Sequence, residues 1–259
     1  MKNINYKKIV DELINVFKKA GKLSIELRNK GLIKKIKPDN TPVTNGDIEV
    51  NNILVNEIKK LTPEYPIISE ETWENKLEKN LKNFWLVDPI DGTHNYVNNK
   101  DEFTINAALI INNSPLLGII NAPGKKRLFY TYGKKKSYEI NENKIIELNC
   151  KKKSNKNEVI ALVYSHNIKP EILKIHKKNE VTSSVKMSSS LKFCVMAAGE
   201  FDLYAADPRA LEWDIAAGHT ILKNAGGIIT DFEGNEILYG KKNFKNPSII
   251  LKRSLNLNE

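Results

Sequence analysis

The sequence predicts a layered fold of the α/β or α+β class with long antiparallel stretches of strand. Two segments in the first 61 residues have the apolar spacing of amphipathic helices, and the middle of the chain is rich in short β-forming runs. The second half alternates strand-like and helix-like segments, with no visible internal repeat. At 259 residues, 41% of them hydrophobic, the chain can bury a large core without a disulfide or a structural metal.

The N-terminal part is predicted to hold two helices joined by a polar loop. Apolar side chains recur at steps of three and four over residues 9–27, and Gly31 ends this run. Residues 37–42 contain two prolines, which predicts a loop. The second helix covers residues 48–61, and Asp47 lies at its beginning, where a carboxylate either caps the helix or projects from its first turn.

Short apolar runs predict a sheet in the middle of the chain. Two of them, residues 67–68 and 84–87, lead directly into acidic side chains, so we expect buried strands with carboxylates at their carboxyl ends. A hairpin turn is predicted at residues 112–115. The other strands expected here are residues 104–111, 116–121, 127–132 and 137–140, with 145–146 as either an edge strand or part of a linker.

The second half of the chain is predicted to add a further set of strands and helices. Residues 141–157 are rich in lysine and asparagine, so we expect two half-domains, 1–145 and 146–259. Gly226 and Gly227 end the last predicted helix. The expected strands are residues 159–163, 202–205, 228–230 and 248–251, and the expected helices are residues 170–178, 191–198 and 213–225.

The composition excludes several classes of protein. The net charge is +10, but it comes from 37 Lys against 4 Arg, which favours a lysine-rich solvated surface, or steering of anionic small molecules, over nucleic-acid binding. No apolar run is long enough for a membrane span, and none follows the first charged residues as in a secretory signal. Two cysteines exclude a disulfide framework and a four-cysteine zinc site. We expect a cytoplasmic protein, associated at most loosely with the inner membrane surface.

The segment 88–93 gives the strongest functional signal. A buried strand ends in Asp88, a proline and a glycine bend the chain, and Asp91 follows three residues later. We expect the two carboxylates to face one side together with an unpaired carbonyl of Ile90, as a cage of oxygen atoms suited to Mg²⁺. Gly92 and Thr93 would then present backbone N–H groups to a phosphate. The alternative is an ordinary turn with solvated acids.

Acidic residues from other segments could complete this site. Glu70 ends the preceding predicted strand, Asp214 begins the last long predicted helix, and Thr44 and Asp47 precede the second helix. Each could instead be a surface acid or a helix cap. Gathered together, the acids would repel one another unless two or three Mg²⁺ ions lay among them, which predicts metal-assisted phosphoryl hydrolysis. Neither a glycine-rich nucleotide loop nor a His-Glu-x-x-His motif is present.

Taken together, segments 42–44, 69–71, 88–93 and 213–218, with Asp47, resemble the inositol monophosphatase superfamily of lithium-sensitive, Mg²⁺-dependent phosphatases. The resemblance spans nearly the whole chain and implies a layered α-β-α-β-α sandwich. It also implies roles for individual residues. The metal ligands would be Glu70, Asp88, Asp91, Asp214 and the carbonyl of Ile90, and the catalytic residues would be Asp47 and Thr93, which take the proton from the attacking water, together with Glu70.

Within the superfamily, the chain is most similar to bacterial 3′(2′),5′-bisphosphate nucleotidases. Residues 37–44, 61–63, 102–110, 165–166 and 189–194 carry this likeness. It implies a monomer or homodimer that hydrolyses adenosine 3′,5′-bisphosphate. The residues implied to bind the substrate are Gly92, Thr93, His166, Ser189, Lys192 and Asp214. A second phosphate needs a cation and hydroxyl donors away from the metals, which Lys192 and Ser189 can supply, although Lys192 could also be a surface lysine.

Three departures from the nucleotidase pattern leave alternatives open. Residues 94–97 are nearer to those of inositol phosphatases, Tyr164 stands where an arginine commonly precedes the Ser-His pair, and residues 205–206 replace a common Pro-Arg. Arg209 could take over the role of a missing arginine. The alternatives are an inositol or sugar-phosphate phosphatase and, from another class, a catalytically silent relative that senses a phosphate ligand.

Overall fold

The computed structural model describes residues 4–37, 41–73, 81–142, 144–152 and 158–257. Short 3₁₀ turns occur at Pro123–Lys125 and Lys242–Phe244. The helices and strands in chain order are α1 Tyr6–Lys30, β1 Lys34–Ile36, β2 Pro42–Thr44, α2 Asn45–Leu61, β3 Ile67–Ser69, β4 Phe84–Asp91, α3 Thr93–Val97, β5 Thr104–Ile111, β6 Ser114–Ala122, β7 Arg127–Thr131, β8 Tyr138–Asn141, β9 Lys144–Glu147, β10 Ile160–Val163, α4 Pro170–Lys178, β11 Ser183–Lys186, α5 Leu191–Ala197, β12 Leu203–Ala206, α6 Glu212–Asn224, β13 Ile228–Thr230 and β14 Ile249–Lys252.

The described strands from β3 to β9 form a seven-stranded sheet in sequence order. Strands β3 and β4 are parallel and the later neighbours are antiparallel. Side chains alternate between the two faces of β4. Trp85 and Val87 pack with α1 and α2, whereas Phe84 and Leu86 pack toward α5 and α6. Burial on both faces explains why β4 begins as an uninterrupted apolar run, each such side chain contributing roughly 1.5–3 kcal/mol.

A second, five-stranded sheet lies on the other side of α5 and α6, with the order β11-β10-β12-β14-β13 in the described residues. Leu162 and Tyr204 on its inner face join the cluster that contains α5 and α6. Ala161 and Leu203 on its outer face pack with Ile175 of α4. The layers therefore run α, β, α, β, α, which confirms the predicted architecture.

Most predicted elements are present, and several bounds agree to the residue. Strands β5 and β13 and helix α4 match the predicted ranges, and β9 is an edge strand as one alternative proposed. Three strands were not predicted. Because residues 37–42 contain two prolines, a loop was predicted there and the hairpin of β1 and β2 was not. Residues 38–40 of that loop lie outside the described residues. Strand β11 has four exposed residues and only one apolar side chain, so it lacks an alternating pattern.

The predicted division into residues 1–145 and 146–259 stays a prediction. The two large sheets use separate parts of the chain, since the first ends at Glu147 and the second begins at Ile160. The boundary itself falls within β9, and one apolar cluster joins residues from both halves. In the described ranges, no helix has a stretch long and apolar enough to cross a bilayer.

Candidate active site

A β-bulge at the end of β4 positions two of the predicted acids. Asp88 lies opposite Asn106 and Asp91 opposite Thr104, so three steps along β4 match two steps along β5. The extra residue lets two side chains approach one side, although residues three apart in a regular strand point to opposite faces. The prediction that β4 ends at Asp88 is therefore wrong by three residues, because the strand resumes pairing beyond the proline.

Asp88 is a buried carboxylate without a hydrogen-bond donor. Its side chain is 1% exposed, and neither oxygen has a hydrogen-bond partner in the described part of the chain. Burial raises the pKa of Asp88 well above its usual range, and the charges of Glu70, Asp91 and Asp214 raise it further. Such a group must be compensated by a proton or by a bound cation.

Glu70, at the end of β3, is the neighbour of Asp88 on the parallel strand. Lys37, which follows β1, bridges Glu70 and Glu71, with distances from its Nζ of 3.1 Å to Oε1 of Glu70 and 2.8 Å to Oε1 of Glu71. Burial raises the pKa of Glu70, and Lys37 opposes that rise. Lys37 was not predicted to belong to the site, because its partners lie more than thirty residues away in the sequence.

Ser190 joins the end of β4 to the helices on the other side of the site. Asp91 Oδ2 accepts hydrogen bonds from the Ser190 backbone N–H at 2.5 Å and lies 2.7 Å from Ser190 Oγ. The same hydroxyl contacts the carbonyl oxygen of Asp214 and accepts a hydrogen bond from Asn106 at 3.1 Å. Ser190 was not among the predicted site residues, although it lies in the segment 189–194 that carries the likeness to nucleotidases.

Asp214 lies in the first turn of α6. Its Oδ2 accepts a hydrogen bond from the Leu211 backbone N–H at 2.7 Å, so it caps the helix as well as facing the site. Burial raises the pKa of Asp214 well above its usual range, and the charge of Asp91 adds to this. The small residues after Asp214 allow close packing, as expected, since a Cβ on Gly218 would lie 2.3 Å from the ring of Phe193.

Asp47 and Thr93 lie in contact, as the resemblance implies. Thr93 Oγ1 donates to Asp47 Oδ1 at 3.3 Å, while Asp47 Oδ2 accepts from the Thr44 N–H at 2.7 Å and the Thr44 hydroxyl at 2.6 Å. Burial raises the pKa of Asp47, although the hydrogen bonds from Thr44 oppose this. Thr44 is the N-cap of α2 and Asp47 its N3 residue, so one capping box fixes both.

The carbonyl of Ile90 differs from its prediction. We expected it to be unpaired, but Thr93 Oγ1 lies 3.0 Å from its oxygen, so this carbonyl and Asp47 Oδ1 share the single proton of the Thr93 hydroxyl. The cause is the tight turn at Gly92, whose φ of +88° brings the first turn of α3 back over the strand end. A carbonyl oxygen has a second lone pair, so this contact leaves one position for another partner.

Glu70, Asp88, Asp91 and Asp214, called the acidic cluster below, fit divalent cations by their chemistry. All four supply oxygen ligands, and Asp88 has two buried oxygens without a donor. In their present conformations Glu70 is turned to Lys37 and Asp91 to Ser190, and no three His, Cys, Asp or Glu side chains in the described ranges converge as a metal-ligand group. Binding a cation between these acids would therefore need the Glu70 and Asp91 side chains to turn from these partners.

A cavity of about 240 Å³ opens beside the acidic cluster. Asp91 and Asp214 line it together with Ser189, Lys192 and Arg209, among other residues. Lys192 is buried, its Nζ donates to the Ser189 carbonyl at 2.5 Å, and it lies 5.2 Å from the centre of the Tyr204 ring. Burial lowers the pKa of Lys192 to about 8. Lys192 is thus not a surface lysine.

Three predicted substrate residues, Gly92, Thr93 and His166, do not line this cavity, and of these His166 lies apart from the acidic cluster. It is exposed in the segment after β10 and is absent from the cavity wall. Arg209 is also exposed but does line the cavity, where its guanidinium stacks on the ring of Tyr164. The roles of both residues stay predictions.

The fold has five alternating layers. Carboxylates lie at the carboxyl ends of β3 and β4, beside a cavity that is lined by a lysine. These features are typical of the class of layered α/β phosphatases. The model of the inositol monophosphatase family matches residues 5–257. The chain therefore belongs to the inositol monophosphatase family, which confirms the resemblance found in the sequence.

The relatives include 3′(2′),5′-bisphosphate nucleotidases. The chain is 36% identical to the 3′(2′),5′-bisphosphate nucleotidase CysQ from Buchnera aphidicola subsp. Acyrthosiphon pisum, and the match covers 90% of this chain and 88% of the relative. It is 30% identical to the 3′(2′),5′-bisphosphate nucleotidase CysQ from Escherichia coli K12, and this match covers 92% of this chain and 97% of the relative. The crystal structure of CysQ from Bacteroides thetaiotaomicron superimposes with a TM-score of 0.73 at 27% identity, covering 92% of this chain and 94% of that one.

Proposed function

We propose that this protein is a Mg²⁺-dependent phosphomonoesterase that hydrolyses the 3′-phosphate of adenosine 3′,5′-bisphosphate to give AMP and phosphate. The observation that carries the proposal is the acidic cluster around Asp88, whose buried oxygens have no donor in the described residues, beside a cavity lined by Lys192. The substrate is supported by the two nucleotidases named above, which are 36% and 30% identical over at least 90% of this chain.

The acidic cluster and the Ile90 carbonyl would hold two or three Mg²⁺ ions. Bound there, Mg²⁺ would act as a Lewis acid and would lower the pKa of a coordinated water molecule. The protein supplies the negative charge, and burial together with the neighbouring acids raises the pKa of Asp88 and of Asp214, which supports compensation of these groups by a cation. Glu70 would serve both as a ligand and in catalysis.

Asp47 and Thr93 would move the proton of the attacking water. The Thr93 hydroxyl would accept this proton and pass its own to Asp47 Oδ1, 3.3 Å away. The Thr44 N–H and hydroxyl fix the other Asp47 oxygen, so the accepting oxygen cannot turn away. Burial raises the pKa of Asp47, which makes it a stronger base than an exposed carboxylate.

The substrate would be held by groups on both sides of the cavity. Backbone N–H groups of Gly92 and Thr93 would bind the transferred phosphate. Asp214 and Ser189 would contact the sugar and phosphate groups, and Lys192 would supply positive charge. His166 lies outside the cavity wall and would reach the substrate only from its rim.

A substrate panel tests this proposal against the inositol and sugar-phosphate alternatives. Phosphate release would be followed under steady state with adenosine 3′,5′-bisphosphate, inositol 1-phosphate and fructose 1,6-bisphosphate at saturating Mg²⁺. We expect kcat/KM to be at least about a hundredfold higher for the nucleotide, because inositol 1-phosphate lacks both the second phosphate and the base, and fructose 1,6-bisphosphate lacks the base. A higher kcat/KM for inositol 1-phosphate would contradict the nucleotidase assignment.

A further inference from the structure

The cavity holds two cations that differ in how their charge is compensated. Lys192 and Arg209 are the only cationic side chains among the residues that the structure places on its wall. Lys192 is buried and near carboxylates, since Asp91, Asp214 and Glu102 all act to stabilise its charge. Arg209 is exposed, and in the described part of the chain it makes no ion pair. Its guanidinium is therefore available to an anion.

The acid closest to Arg209 in sequence is already engaged. Asp207 Oδ1 accepts a hydrogen bond from the Tyr164 hydroxyl at 2.8 Å, and Asp207 Oδ2 accepts one from Lys169 Nζ at 2.7 Å. These contacts satisfy both oxygens of Asp207 and lower its pKa, the hydrogen bond from Lys169 being the main cause. Asp207 thus orients Tyr164, and among the described residues the guanidinium has no carboxylate partner.

Tyr164 holds the guanidinium in a defined orientation. The Arg209 Cζ lies 3.9 Å from the centre of the Tyr164 ring, the distance of a stacked cation–π pair. A stacked guanidinium keeps its N–H donors in its own plane, pointing past the edge of the ring, which suits bidentate binding of a phosphate. The ring in turn is fixed by the hydrogen bond to Asp207.

We propose that Arg209, positioned by Tyr164, binds the second phosphate of a bisphosphorylated substrate and so selects bisphosphates over monophosphates. The inference rests on the proposed function for the identity of the ester. Asp91 and Asp214 of the acidic cluster line the same cavity as Arg209, so a substrate with its reacting phosphate at the acids can present a second anion to the guanidinium. Repulsion between the charges of Arg209 and Lys192 is relieved by the same anion.

The first test compares two nucleotides that share the reacting phosphate. Adenosine 3′,5′-bisphosphate and 3′-AMP differ only in the 5′-phosphate. For Arg209→Ala we expect kcat/KM for the bisphosphate to fall about tenfold to a hundredfold, mainly through KM, with less than about a twofold change for 3′-AMP. Arg209→Lys should be intermediate, because it keeps the charge and loses the fork. Lys59→Ala, an exposed lysine of α2, controls for net charge and should change neither substrate.

The second test separates positioning by Tyr164 from a general role in packing. Tyr164→Phe keeps the ring and should keep the preference for the bisphosphate within about threefold, whereas Tyr164→Leu should lose it as Arg209→Ala does. Combining Tyr164→Leu with Arg209→Ala should add little to either single change. Equal losses on both nucleotides, or a preference that survives Arg209→Ala or Tyr164→Leu, would overturn the inference.

The outcomes also distinguish this inference from the proposed function. Failure of the wild-type protein to release phosphate from the bisphosphate would defeat the proposed function. Calorimetric binding of the two nucleotides then decides the inference alone. An affinity for the bisphosphate that falls about tenfold or more in Arg209→Ala, with 3′-AMP unchanged, supports it, and equal affinities in the wild type and Arg209→Ala overturn it.

Discussion

The two sides of the cavity are built in opposite ways. The acidic side consists of the carboxylates of Glu70 after β3, Asp88 and Asp91 at the end of β4, and Asp214 in the first turn of α6; Asp88 is buried and the other three are half-buried. The cationic side combines the buried Lys192 of α5 with the exposed Arg209 after β12. The acidic side carries the residues proposed for the chemistry, and the cationic side carries those proposed for recognition. Changes on the first should therefore affect kcat, and changes on the second should affect KM and substrate preference.

The largest effect is expected from Asp88→Asn on the acidic side. The substitution keeps the shape of the side chain but removes a charge that would bind Mg²⁺, so we expect kcat to fall by about a thousandfold or more. The melting temperature should stay the same or rise, because the native carboxylate is buried and no described residue donates a hydrogen bond to it. Phosphate release and calorimetry measure the two quantities, and Asp11→Asn in an exposed part of α1 serves as the control.

Asp91→Asn tests the same side against the possibility of a silent relative. Loss of activity with unchanged folding agrees with an enzyme whose acids bind the metal. Activity and Mg²⁺ dependence that both survive in Asp91→Asn would show that the metal assignment is wrong.

The next effect concerns the proton-transfer pair. Thr93→Ala removes the hydroxyl that donates to Asp47 and should lower kcat about a hundredfold to a thousandfold with little change in KM. Thr93→Ser restores a hydroxyl at this position and should recover most of the activity. Steady-state kinetics on adenosine 3′,5′-bisphosphate gives both parameters. Equal activity of the Ala and Ser variants would exclude a proton relay through Thr93.

Lys192→Met probes the cationic side and should separate activity from stability. It should lower kcat/KM for the bisphosphate about tenfold to a hundredfold. Burial lowers the pKa of Lys192 from 10.5 to about 8, so below pH 8 the folded protein holds a costly buried charge. We therefore expect the free energy of unfolding at pH 7 to rise by roughly 1–2 kcal/mol in the variant, after the loss of the Ser189 contact is subtracted. A variant less stable than the wild type at pH 7 would contradict this.

The smallest effect is a pH dependence that Lys192 should impose. In the unfolded chain Lys192 keeps its ordinary pKa, so between pH 8 and 10.5 the unfolded state binds more protons and the cost of burial is relieved as pH rises. Over the same rise through pH 8, the folded protein loses positive charge in the cavity, and KM for the bisphosphate should increase. The pH profile of KM should be flatter in Lys192→Met. Identical profiles in the two proteins would rule out Lys192 as the titrating group.

The contrast between the two sides also explains how far the sequence could predict the site. The apolar strand, the bend and both acids are all contained in residues 84–93. Local spacing was therefore enough to single out Asp88 and Asp91 as candidate metal ligands. The capping box likewise places Thr44 and Asp47 within four residues of each other. Ser190 and Lys37 were missed because they meet their partners only through the fold, across 99 residues in the contact with Asp91.

The same reasoning applies to the fold itself. Strands buried on one or both faces, such as β4 and β5, have apolar runs that the sequence shows directly. Strand β11 is exposed at a sheet edge and forms by pairing with β10. Its four mostly polar residues therefore show no apolar pattern from which the strand could be predicted. The bulge in β4 depends on the register against β5, which periodicity within one strand cannot provide.

The most direct test of the central claim is the Mg²⁺ dependence of phosphate release from adenosine 3′,5′-bisphosphate by the full chain. If the acidic cluster functions by binding divalent cations, protein treated with EDTA should be inactive, and added Mg²⁺ should restore activity along a saturable curve. Activity that is undiminished in EDTA would contradict the account.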